Sequence, residues 1–280
     1  MSLSDVSALK SRFPGLRLLD KNEILQAPRD VILSNGKSQI FVFDTEYAVS
    51  LDREDATKEI SMMKQADGLS IPVVGVVIDG TIVDGYIMPL ASPIPTAIPV
   101  TLKKNIMRQM LDLIEELHGR GILHGDLKLS NFLWTSEYQA RLCDFEEAQY
   151  VGSEHVPKNP TLGYRPPWRV AADFQGDEPP LSLDDEYYAL GLAVWELFTG
   201  HRVFEDLDPV DAEAEYVIEG VVVDVNEMND TEAIGVVWDL LEKGGRGTIR
   251  RDTTPVYKVT GLPYESITTA EYHARRAFKK

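Results

Sequence analysis

The sequence contains a single cysteine, Cys143, in 280 residues. No internal disulfide can form, and such usage suits a reducing compartment. Cys143 precedes Asp144 in an apolar run, so it reads as a small buried hydrophobe rather than a reactive thiol. Also missing is any run of the ~18 apolar residues that a membrane span requires. The apolar run at residues 71–78 is strand-sized. Residues 1–21 mix charges with apolar positions and lack the apolar core of a secretory leader, so a cytoplasmic or nuclear location is expected. Basic residues are in deficit, 28 Lys and Arg against 45 Asp and Glu, for a net charge of −17. That balance argues against nucleic acid or an anionic membrane as a main partner. No internal repeat or low-complexity tract is visible. What is present is a globular composition, 44% apolar, long enough for one large domain or two lobes.

Residues 1–22 read as a short amphipathic helix and a turn around Pro14-Gly15. Residues 31–33, 39–43 and 47–51 are β-type runs, with Ser34-Asn35-Gly36-Lys37-Ser38 as the turn between the first two. Helical spacing follows over 55–65 through Ala56, Ile60 and Met63, then a hairpin, 72–78 with 81–90, around Asp79-Gly80. Five strands with one inserted helix result. Residues 91–99 are proline-rich (Pro93, Pro95, Pro99) and read as an extended connection. Three helices are then expected. One is amphipathic over 102–118, one is apolar nearly all round over 185–198, and a third is amphipathic over 231–242.

The most informative window is His124-Gly125-Asp126-Leu127-Lys128-Leu129-Ser130-Asn131, followed downstream by Asp144-Phe145-Glu146. It combines a carboxylate, an ammonium two positions on, and an amide and a second carboxylate suited to a hard cation. The window matches H-R-D-x-x-x-x-N, the catalytic loop of protein kinases, with Gly125 in place of the Arg. Leu190-Gly191 and Glu196-Leu197-Phe198-Thr199-Gly200 match that family's central helix, D-x-x-x-L-G-x-x-x-x-E-L-x-T-G. Glu186 falls where its Asp usually stands, with Asp185 one place early. The chain therefore resembles the protein kinase-like superfamily over about residues 24–250.

The resemblance implies an α+β, two-lobed protein kinase-like fold, with a small β-rich N-lobe carrying one helix and a larger helical C-lobe. Its implied boundaries are an extension 1–22, N-lobe 23–90, hinge 91–99, C-lobe 100–260 and tail 261–280. It also implies ATP and Mg²⁺ as cofactors and a protein substrate or regulatory protein as partner. Asp126 matches the catalytic base that orients a substrate hydroxyl, and Lys128 the residue that faces the γ-phosphate. Asn131 and Asp144 match the Mg²⁺ ligands. Glu59 is the candidate partner of an ATP-binding Lys, and Met88 would stand at the back of the adenine pocket. Leu90 and Ala91 would offer backbone hydrogen bonds to the base. Thr161, in Thr161-Leu162-Gly163-Tyr164-Arg165-Pro166-Pro167, matches the Thr of the substrate-docking loop. Lys128 and Thr161 favour the Ser/Thr protein-kinase branch over small-molecule kinases, which share H-G-D and D-[FW]-E.

Four departures stand out. Ala48-Val49-Ser50 puts Ser50 where the family carries its ATP-binding Lys. Gly36 alone replaces the Gly-rich phosphate loop. Glu146 replaces the Gly after Asp144-Phe145, and Trp168 replaces the Glu of A-P-E, whose usual Arg partner has Arg246 as its nearest candidate. A missing Lys removes a charge-assisted contact of about 1.5–3 kcal/mol. Lys37, in the turn where a phosphate would pass, is either its substitute or a solvated turn residue. Gly125 removes the Arg that reads a phosphorylated activation segment, so phosphorylation of Ser153 or Thr161 is not expected to act by that route. Two readings remain. One is a divergent Ser/Thr phosphotransferase, favoured because Asp126, Lys128, Asn131 and Asp144 are all kept. The other is a pseudokinase serving as an interaction module.

Overall fold

A computed structural model describes residues 17–20, 31–35, 38–42, 47–51, 55–135, 137, 139–157, 161–205, 221–251 and 257–260. The architecture is α+β, as expected, in two compact units. The first comprises residues 1–93 and 132–148, the second residues 94–131 and 149–280.

The first unit is built on a six-stranded sheet. Its strands are β1 (Arg17–Asp20), β2 (Val31–Asn35), β3 (Ser38–Val42), β4 (Tyr47–Leu51), β5 (Gly75–Asp79) and β6 (Ile82–Pro89), in the order β1-β5-β6-β4-β3-β2. The count corrects the expected five. Residues 17–20, read as part of a helix and turn, form an edge strand parallel to β5. Leu18 and Leu19 alone cannot specify a strand, so the exposed edge of β5 decides the conformation. β5 and β6 form the expected hairpin, turned at Gly80 with φ +59, a backbone state that glycine adopts without steric cost.

Helix α1 (Ala56–Gln65) packs on β6. Asp55 caps it, its side chain accepting the Lys58 N–H at 3.1 Å. Ala56, Glu59, Ile60 and Met63 are all buried, a helical stripe with one carboxylate in it. Consecutive residues Tyr86, Ile87 and Met88 on β6 are also buried, so both faces of this strand are covered. Backbone bonds from Ile71 N to Leu142 O (2.8 Å) and from Leu142 N to Leu69 O (2.9 Å) tie residues 132–148 into this unit.

The second unit is mainly helical: α2 (Val100–Gly119), α3 (Pro167–Gln175), α4 (Leu183–Thr199) and α5 (Thr231–Gly245). Expected helices α2, α4 and α5 are present. α3 was not anticipated, because residues 161–167 were matched to a docking loop and no helix was expected after them. Pro at the first helical position instead starts a helix, since its missing N–H would have had no partner there. From Asp185 to Phe198, α4 is buried at every residue except Tyr187, and it packs against α5. Gly244 allows that approach: a Cβ there would overlap Tyr188 N and Asp184 O of α4. A three-stranded antiparallel sheet (Val221–Val222, Tyr257–Thr260, Thr248–Arg251) combines a local pairing of 248–251 with 257–260 and a distant pairing of 221–222 with 257–258. No helix among the described residues is long and apolar enough to cross a membrane.

Candidate active site

In the helical unit, residues 124–131 form a compact loop ending in a 3-10 turn, Leu129–Asn131. The Asp126 carboxylate is held from three directions. Lys128 Nζ donates to its Oδ2 at 2.5 Å, the Thr161 N–H donates to Oδ1 at 3.1 Å, and Asn131 Nδ2 approaches Oδ2 at 3.4 Å. Lys128 also donates to Thr161 Oγ1 at 2.9 Å. Three predicted residues, Asp126, Lys128 and Thr161, thus form one cluster from segments 35 positions apart. Asn131 Nδ2 donates to Asp126 O at 2.8 Å, which commits its NH₂ to the loop and makes its carbonyl oxygen the atom suited to a cation.

The loop is fastened from below by Glu186 of α4. Its Oε2 accepts the His124 N–H and its Oε1 the Gly125 N–H, both at 2.9 Å, and His118 Nε2 of α2 lies 3.3 Å from Oε2. Burial pushes this carboxyl up. The hydrogen bond and charge of His118, with the His124 contact, outweigh burial and hold it below the usual carboxylate range. Gly125 sits at φ +86, so the loop turns there through a state that the family's Arg would find strained. His124 is fully buried, and the Asp126 N–H points at its Nδ1 at 3.4 Å, an orienting rather than a proton-accepting arrangement.

Asp185, one residue earlier, has a separate role. It accepts the Ser182 N–H at 2.9 Å to cap α4, and it takes a bidentate grip from Arg169 through Nε and Nη2. Arg169 also donates to Pro179 O at 2.7 Å and Pro180 O at 2.8 Å. This anchor was not anticipated; only structure brings Arg169 and Asp185 together. Trp168 is buried, with its Nε1 donating to Gly244 O at 2.8 Å. The Arg246 guanidinium lies 3.6 Å from its ring centroid and donates to Asp184 at 2.7 Å. A cation–π contact therefore stands where the family carries an ion pair. Burial and the neighbouring Glu196 charge push the Tyr164 phenol up, so Tyr164 is a hydrogen-bond donor at any ordinary pH. Burial likewise raises Glu196, which accepts the Val203 N–H at 3.0 Å.

Beside Asp126 opens a cavity of about 730 Å³, lined by Asp126, Thr161, Leu162, Arg165, Asp173 and Glu178 among others. Its walls mix apolar side chains with both signs of charge, and it is large enough for a peptide side chain.

In the strand-rich unit, Asp144 sits at φ +64, rare for a residue with a Cβ. The next residue, Phe145, is fully buried and its N–H donates to Glu59 Oε1 at 3.1 Å. The same oxygen accepts the Tyr86 hydroxyl at 2.9 Å, and Lys58 Nζ donates to Glu146 O at 3.0 Å. Two adjacent residues of α1 thus grip the segment that carries Asp144. Ser50 is buried, and its hydroxyl has no hydrogen-bond partner among the described residues. Met88 is buried, and Leu90 and Ala91 are half-buried. Gly36 and Lys37 lie outside the described residues.

Among the described residues no cluster of three or more His, Cys, Asp or Glu is arranged to hold a metal. Asn131, in the helical unit, and Asp144, in the strand-rich unit, each carry an oxygen of the hard kind that Mg²⁺ takes alongside waters and phosphate oxygens.

The protein kinase domain model matches residues 88–236, just over half of the sequence. The chain belongs to the protein kinase family. It is 28% identical over 112 residues to the serine/threonine-protein kinase ISR1 of Saccharomyces cerevisiae, covering 36% of this chain and 25% of that protein. Against a probable cAMP-dependent protein kinase catalytic subunit of Encephalitozoon cuniculi it is 28% identical over 169 residues, 60% of this chain and 49% of the relative. A probable inactive receptor kinase of Arabidopsis thaliana is 35% identical over 89 residues, 31% of this chain and 13% of that protein. The match covers half or less of each relative's length.

Proposed function

We propose that this chain transfers the γ-phosphate of Mg-ATP to a Ser or Thr hydroxyl of a protein substrate, with Asp126 as the base. The arrangement of Asp126, Lys128 and Thr161 carries this reading. Lys128 aims the Asp126 carboxylate, and Thr161 fixes the docking segment to both. The substrate hydroxyl oxygen attacks the phosphorus as its proton passes to the Asp126 carboxylate. The phosphorus–oxygen bond to the nucleotide breaks as the new ester forms. Lys128 offsets negative charge on the transferring group. Bound Mg-ATP supplies the phosphoryl group and the metal's charge, with Asn131 and Asp144 as the residues that would hold the metal. The cavity beside Asp126 suits a protein segment flanking the acceptor residue.

One observation favours a second reading, an interaction module with kinase architecture: position 50 offers a neutral hydroxyl where the family carries a cation. A similar relative is itself named as probably inactive. Calorimetric titration of the folded protein with ATP, with and without Mg²⁺, separates the two. The transferase reading expects Mg²⁺-dependent binding that Asp144→Asn weakens at least about tenfold, the loss of one charged metal ligand. Absence of binding at millimolar ATP contradicts it.

A further inference from the structure

β4 and β6 run antiparallel with Ser50 directly opposite Tyr86. Opposed residues in such a pair project from the same face, with Cβ atoms about 5 Å apart. Tyr86 is fully buried, and its hydroxyl donates to Glu59 Oε1 at 2.9 Å. A side chain long enough to reach Glu59 from position 50 would converge on the same oxygen. The strand carries Ser50 instead, and the donor comes from its cross-strand neighbour.

That oxygen does a second job. It accepts the Phe145 N–H, and Phe145 follows Asp144, whose left-handed backbone persists only where its surroundings hold it. Lys58, next to Glu59 on α1, fastens the other end of the segment at Glu146 O. A carboxylate buried in a helix stripe needs donors to stay ionised and fixed. Tyr86 is a donor that brings no charge and belongs to the sheet itself.

We infer that Tyr86 is a positioning residue that fixes Glu59, and through it the Asp144–Phe145–Glu146 backbone, in the role that a lysine at position 50 would otherwise fill. Helix α1 is then docked on this segment by the protein's own hydroxyl, whether or not nucleotide is present. The consequence for catalysis rests on the phosphotransferase reading above; the positioning itself does not.

The test is amide hydrogen exchange by NMR on the full chain without nucleotide. Tyr86→Phe removes one hydroxyl and keeps the ring. Exchange at the Phe145 amide should quicken by about tenfold to a hundredfold, as expected for losing one hydrogen bond to a charged acceptor. Amides of the β5–β6 ladder report any general loss of stability and should change far less. Adding Ser50→Lys to Tyr86→Phe should return the Phe145 amide to within about threefold of wild type. A Phe145 amide that keeps pace with the ladder in Tyr86→Phe, or a double variant that stays as fast as the single one, overturns the inference. ATP titration in Mg²⁺ on the same samples judges the other reading. Wild type that binds no ATP contradicts the phosphotransferase reading and leaves the amide measurement to decide the role of Tyr86.

Discussion

Glu186→Gln is the most revealing single substitution in the helical unit. The carboxylate accepts two backbone N–H groups of the catalytic loop, one on each oxygen, and faces His118 Nε2. Glutamine has the same shape but one acceptor oxygen, so its NH₂ must confront one N–H. The cost is a lost charge-assisted bond, about 1.5–3 kcal/mol, plus an unsatisfied buried donor, about 1–3 kcal/mol. A total near 4 kcal/mol agrees with what removing one member of a buried pair costs, roughly 3–5 kcal/mol. For a chain of this size that lowers Tm by about 10 °C. The pH dependence identifies the cause. The Glu186 carboxyl is held below its ordinary value of 4.5. Its contribution is therefore fully present above pH 4.5 and is lost as pH falls through the depressed folded value. Urea unfolding followed by tryptophan fluorescence should show a gap between wild type and variant at pH 5 that closes as pH falls below 4.5. Equal stability at pH 7, or a gap that does not close in acid, refutes the reasoning.

The Trp168 anchor gives a graded series. Trp168→Phe keeps a ring beneath Arg246 but drops the bond to Gly244 O, costing about 1 kcal/mol, whereas Trp168→Ala loses ring, contact and buried area, about 3–5 kcal/mol. Denaturant midpoints check the order, and equal losses for the two variants would show that the ring face does not hold Arg246.

The window 124–131 stood out in the sequence because the protein kinase family carries particular residue types at fixed spacing there, and the structure brings Asp126, Lys128 and Thr161 together. Helices α2, α4 and α5 were legible from their apolar periodicity. The edge strand at 17–20 was not, because a parallel partner more than fifty residues away decides it. Tyr86 escaped notice for a related reason: only the β4–β6 register puts it opposite Ser50. Trp168 replaces a Glu whose usual partner is an Arg, and Arg246, the nearest candidate, lies over its ring rather than against a carboxylate at 168. In sequence Glu186 fell where the family's Asp stands, with Asp185 one place early. A helical step of about 100° separates them, sending one carboxylate to Arg169 and the other to the catalytic loop.

The most direct measurement is transfer of labelled phosphate from ATP to a Ser/Thr peptide library, comparing wild type with Asp126→Asn. Asparagine cannot accept the proton, and loss of a general base lowers rates by about 10²–10⁴-fold. The account predicts Mg²⁺-dependent labelling of Ser or Thr by wild type and at least a hundredfold less by the variant. No labelling by a folded, ATP-binding wild type, or equal labelling by both proteins, would contradict it.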